Sequence, residues 1–111
     1  KVENEETIEM ATALSASGPA YLFYFIESLI ESGENIGLPK DLSEKLTLGM
    51  LKGSLDLFQA SNETAEKLRE NVTSPGGTTE AAINILQNNN FKNSIIEAIN
   101  AAHKRGLDLG E

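Results

Sequence analysis

Cysteine is absent from the 111 residues, which excludes disulfides and thiolate metal sites. A single histidine, His103, leaves no ordinary zinc set, so no metal site is expected. Basic residues are few, nine against 17 acids, for a formal charge of −8. So acidic a surface argues against nucleic acid and anionic membrane as partners. The longest apolar run, from Ala20 to Ile26, is far short of a membrane span, and no secretory signal is visible. No stretch alternates apolar and polar residues as a half-buried strand would, and valines are scarce. The dinucleotide fingerprint Gly-x-Gly-x-x-Gly, the Walker A pattern and the nucleophile elbow Gly-x-Ser-x-Gly are all missing, so neither a nucleotide site nor a serine nucleophile can be named. There is no repeat, low-complexity tract or linker. The length points to one domain, residues 1–111, large enough to bury a core. The chain begins with Lys rather than Met and reads as part of something longer.

What remains is helical periodicity, and it predicts an all-α, bundle-like domain of five or six helices. Residues 4–15 form a short acidic helix, with Glu3, Glu5, Glu6 and Glu9 toward its favoured N-terminal end. A second spans residues 19–35, with Ser17 or Gly18 as cap and Pro19 in the first turn. Four of the chain's six aromatics lie between Tyr21 and Phe25, and at 3.6 residues per turn they point all the way round. Such a helix must be surrounded, either by its own chain or by a second subunit. Gly37-Leu38-Pro39 ends it. The third helix, residues 39–60, places Leu42, Leu46, Gly49 or Met50, Gly53 and Leu57 on one face. Glycine inside a helix costs about 1 kcal/mol relative to alanine, so Gly49 and Gly53 point to close approach by another helix. A charged fourth helix over residues 63–71, capped by Ser61 or Asn62, is anchored by Leu68 and Val72. The fifth, residues 78–87, buries Ala82, Ile83, Ile85 and Leu86. Asn88-Asn89-Asn90 stops it, because Asn tolerates left-handed backbone. The last helix opens at Phe91 with a stripe of Ile95, Ile96, Ile99 and Ala102, and frays near Gly106.

One stretch stands apart: Val72-Thr73-Ser74-Pro75-Gly76-Gly77-Thr78-Thr79-Glu80. Proline forces Ser74 into an extended conformation, and the paired glycines free the backbone to turn or to lie against a ligand. The Thr-Thr-Glu that follows is a helix start. A turn feeding a helix N-terminus gathers free N–H groups with the positive end of the dipole behind them, which suits a carboxylate or phosphate. The plain alternative is a corner between two helices, and composition alone leaves both open. His103 has no acid near it in sequence and reads as an exposed or capping residue rather than a base.

Three blocks in register, Ser17-Gly18-Pro19-Ala20-Tyr21, Gly37-Leu38-Pro39 and Val72-Thr73-Ser74-Pro75-Gly76-Gly77-Thr78-Thr79, resemble the C-terminal domain of pyrroline-5-carboxylate reductase over nearly the whole chain. The resemblance implies an interlocked homodimer, within a larger oligomer in some members, in which a partner encloses the aromatic helix. It implies a cytoplasmic enzyme of proline biosynthesis that uses NADP or NAD, bound mainly by an N-terminal Rossmann domain absent from these residues. The substrate would be a small anionic cyclic imine. Ser74, Gly76, Gly77, Thr78 and Thr79 would bind it: Ser74 and the amides near Gly77 and Thr78 hold its carboxylate, and the catalytic Thr79 hydroxyl contacts the ring nitrogen. Asn71 and Val72 would approach the nicotinamide. The sequence departs from the family pattern at Ala16, Lys45 and Asn90, where a glycine, a glutamine and a glycine are common. Two rival functions stay open: a purely structural helical dimer module, and a related two-domain reductase acting on another imine or oxo-acid.

Overall fold

The computed structural model describes residues 4–110. It is all-α: α1 (Glu5–Ala11), a π-turn (Thr12–Ala16), α2 (Gly18–Asn35), α3 (Lys40–Ala60), α4 (Ala65–Asn71), α5 (Thr78–Asn88) and α6 (Phe91–Gly110), with no strand among the described residues. The contacts fall into two compact units. One holds the described residues up to Phe23 and from Asn84 onward; the other is Tyr24–Ile83.

In the first unit, the Asn4 side chain accepts the Thr7 N–H at 2.8 Å and caps α1, with Glu5 and Glu6 in the first turn. The helix predicted over residues 4–15 changes register half-way. The Ser17 N–H donates to the Thr12 carbonyl at 3.0 Å, five residues back rather than four, which is the π pattern. That shift takes Ser17 off the Ala13 carbonyl, which instead accepts the Tyr21 hydroxyl at 3.1 Å. Ala13 is the one buried apolar residue among those described. Asn90 adopts φ 59° between α5 and α6, a left-handed conformation that Asn tolerates better than most residues other than Gly. The departure from the family's glycine is therefore conservative in backbone terms. α6 does not fray at Gly106 but runs on to Gly110. The Glu9 carboxylate lies where side chains at Gly106 and Gly110 would stand, 3.1 and 2.8 Å from their ideal Cβ positions.

In the second unit, α2 closes with a Schellman motif. Gly37 has φ 116°, its N–H donates to the Glu34 carbonyl, and the Leu38 N–H donates to the Gly33 carbonyl, both at 3.0 Å. The chain then turns into α3, where the buried Ser43 hydroxyl donates to the Ile30 carbonyl at 2.8 Å. A Cβ on Gly33 would collide with Ser43 Oγ, so the close approach of α2 and α3 requires glycine at 33. Gly49 and Gly53, where the sequence predicts such approach, face open space within the chain. α4 starts two residues later than predicted. Its cap is Thr64, whose hydroxyl accepts the Lys67 N–H at 3.1 Å, while Ser61 accepts the Glu63 N–H within the preceding turn.

The larger correction concerns burial. The buried face of α3 is Ser43 and Thr47, not the leucine stripe; Leu42, Leu46, Met50 and Leu57 are exposed. On α5, Ala82, Ile85 and Leu86 are exposed and only Ile83 is half-buried. Phe91, Ile95 and Ile96 of α6 are exposed too. Phe23 and Tyr24 of α2 present 66% and 72% of their surfaces, so the aromatic helix is not enclosed by its own chain.

Candidate functional site

The segment between α4 and α5 is held by its own backbone. α4 ends with the Val72 N–H on the Arg69 carbonyl and the Thr73 N–H on the Glu70 carbonyl, at 3.2 and 3.1 Å. The Thr73 hydroxyl also donates to the Arg69 carbonyl at 2.5 Å. Ser74 to Gly77 then make a tight turn in which the Gly77 N–H donates to the Ser74 carbonyl at 3.0 Å. Pro75 stands second and Gly76, with φ 74°, third, the arrangement of a type II turn, whose third position favours glycine. At Gly77 the constraint is milder: a Cβ there would lie 3.3 Å from the Ser74 carbonyl oxygen, a tight contact. Glu80 reaches back from the first turn of α5, and its Oε1 accepts the Gly76 N–H at 2.7 Å. The Ala81 N–H donates to the Gly77 carbonyl at 3.2 Å and opens the helix.

The amide expected to be free near Gly77 is thus committed to the turn, and that of Gly76 to Glu80. The unpaired donors lie one step further on. The amides of Thr78, Thr79 and Glu80 donate to no acceptor among the described residues, because the first N–H groups of a helix have no carbonyl four residues back. They form the positive end of the α5 dipole. The hydroxyls of Ser74, Thr78 and Thr79 carry no hydrogen bond to described residues; Ser74 and Thr78 are exposed and Thr79 is half-buried. Asn71 and Val72 stand exposed at the end of α4 just ahead of the turn. The arrangement can hold a small anion against three amides with a sheltered hydroxyl beside it. It contains no acid–base pair, and His103, half-buried on α6, belongs to the other unit. No cluster able to hold a metal ion occurs among the described residues, and no helix there is long and apolar enough to cross a membrane.

Sequence reasoning missed two features of this region. The Glu80–Gly76 bond was legible only as an early acid in a helix. The second is an apolar-walled cleft of about 400 Å³ between the C-terminal half of α3 and α4, lined by Leu55, Phe58, Leu68 and Val72 among others. The four-residue spacing of Leu68 and Val72 was its one signal in the sequence.

Residues 5–109 match the model of the family described as pyrroline-5-carboxylate reductase dimerisation. The chain belongs to that family. The family's curated relatives include the pyrroline-5-carboxylate reductase of Pseudomonas aeruginosa, 39% identical over 110 residues, and that of Synechocystis, 38% identical over 107 residues. These matches cover 99% and 96% of this chain and 40% of each relative, so the chain spans well under half the length of the proteins it matches. Among solved structures, it is similar to the Plasmodium falciparum pyrroline carboxylate reductase with NADP bound, at a TM-score of 0.95 and 38% identity over 98% of this chain and 42% of that one. The pyrroline-5-carboxylate reductase from Coxiella burnetii gives a TM-score of 0.92 and 42% identity over 97% and 40% of the two chains.

Proposed function

We propose that residues 1–111 form the dimerisation and substrate-binding part of a cytoplasmic reductase that converts 1-pyrroline-5-carboxylate to L-proline with NADPH or NADH. A dinucleotide-binding domain outside residues 1–111 would hold most of the cofactor. One observation carries this reading: three successive unpaired amides and the unpaired Thr79 hydroxyl stand at the helix start that follows the Ser-Pro-Gly-Gly turn, in a chain of this family. In it the Thr78 to Glu80 amides and Ser74 hold the substrate carboxylate. Gly76 and Gly77 shape the turn that lets the substrate approach. Thr79, the catalytic residue of this proposal, directs its hydroxyl to the ring nitrogen. The cofactor, when bound, supplies the hydride that saturates the imine carbon. Asn71 and Val72 fit a place against its nicotinamide, since one offers an unpaired side-chain amide and the other an exposed apolar face. A substrate that arrives as the protonated imine needs no dedicated base, so the protein's contribution is placement.

The partner in this proposal is a second copy of the chain, interlocked through the apolar faces of α2, α3 and α6. The exposed apolar residues of these helices support it, Tyr24, Leu57 and Ile96 among them. The intact protein should reduce pyrroline-5-carboxylate, and Thr79→Ala should cut kcat at least tenfold with the melting temperature held. Unchanged kinetics would remove Thr79 from the site. One observation favours a second reading, a non-catalytic dimer module: the Gly76 and Gly77 amides are already spent within the protein. A dimer by sedimentation that reduces no cyclic imine or oxo-acid would select it. Activity on a different imine or oxo-acid alone would instead mark a related reductase.

A further inference from the structure

We infer that Glu80 is a positioning residue for the substrate carboxylate, acting through the Gly76 N–H; the inference rests on the reading just proposed. Three features of the segment lead there. Glu80 Oε1 accepts from Gly76 at 2.7 Å, a charge-assisted bond to the one residue of the turn with φ in the left-handed region. Gly76, as a glycine, has a wide choice of backbone conformations, and this bond selects one of them. The backbone amide of the same Glu80 is one of the three unpaired donors. A single residue thus ties the turn to the helix start and supplies part of the anion cradle.

The arrangement has an electrostatic cost. Glu80 brings a carboxylate to a place meant for a carboxylate. The hydrogen bond and the negative charge therefore act in opposite directions on substrate binding, one organising the cradle and the other repelling its ligand. Isosteric substitution separates them. Glu80→Gln keeps an oxygen acceptor for the Gly76 N–H and removes the charge; Glu80→Ala removes both. For a residue that merely favours the helix dipole, the two substitutions would act alike, since each deletes the same charge.

The test uses the intact, full-length protein with pyrroline-5-carboxylate and NADPH. Glu80→Ala should raise KM for the imine about five- to tenfold, the loss of one organising hydrogen bond, with kcat within about twofold. Glu80→Gln should lower KM up to about threefold at low salt, the effect of removing a nearby like charge at a half-buried site. Hydrogen exchange at the Gly76 amide should speed up in Glu80→Ala and stay protected in Glu80→Gln. Equal rises in KM for both variants, an unchanged KM in Glu80→Ala, or unchanged Gly76 exchange would each overturn the inference and leave the proposed function standing. A wild-type protein that does not turn over the imine would remove both.

Discussion

The turn at residues 74–77 and the apolar faces of the helices are finished to different degrees. The turn is complete within seven residues: its hydrogen bonds run from Ser74 to Gly77 and from Gly76 to Glu80, with a glycine at the one position of positive φ. The helical faces are not. Tyr24 stands 72% exposed and Leu57 56%, while the residues α3 does bury are a serine and a threonine. Hydrogen bonds are directional and short, so a polar turn is closed by near neighbours in sequence. Apolar burial is non-directional and scales with area, and a single short chain leaves much of that area uncovered.

Four substitutions break or sharpen this comparison. Tyr24→Asp should have the largest effect. In a lone chain an exposed residue of this kind is worth within about 0.5 kcal/mol; against a partner's apolar face, an uncompensated buried charge costs on the order of 3–5 kcal/mol. Sedimentation should show loss of the dimer together with a large fall in melting temperature, and a full-strength dimer would refute the enclosure of α2 by a partner. Gly33→Ala comes next. The new Cβ meets Ser43 Oγ and displaces its bond to the Ile30 carbonyl, an overpacking cost of about 2–3 kcal/mol to be read by denaturant unfolding. Gly76→Ala should cost about 1–2 kcal/mol for left-handed backbone in an L-residue, with little change in dimer affinity, since the turn is closed locally. Asn90→Gly should be the mildest, within about 0.5 kcal/mol, because φ 59° already suits both residues.

Much of this was legible beforehand. The start of α3 after Gly37-Leu38-Pro39, the stop at Asn88-Asn89-Asn90 and the helix beginning at Thr78 follow from single residues whose backbone preferences are strong. The cap of α4 was misplaced because Ser61, Asn62 and Thr64 are all good caps, and only the course of the chain chooses among them. The burial expected for α5 is not met within the chain for a deeper reason. A hydrophobic stripe states that a face avoids water without stating what covers it. In the candidate site, the residues Ser74 to Thr79 were visible in composition, but which amides stay free was not, since that depends on where the Glu80 carboxylate turns.

The amino-acid sequence by itself determined which stretches are helical, the stops at Gly37-Leu38-Pro39 and Asn88-Asn89-Asn90, the Pro-Gly-Gly turn and the family, because each rests on local backbone preference or on residues in fixed order. Only the tertiary structure decided that Gly33, rather than Gly49 or Gly53, is the point of close helix contact within the chain. It likewise decided that the free donors are the amides of Thr78 to Glu80, and that the apolar faces remain uncovered. Those outcomes depend on which groups meet across space, and spacing along a chain does not contain that distance.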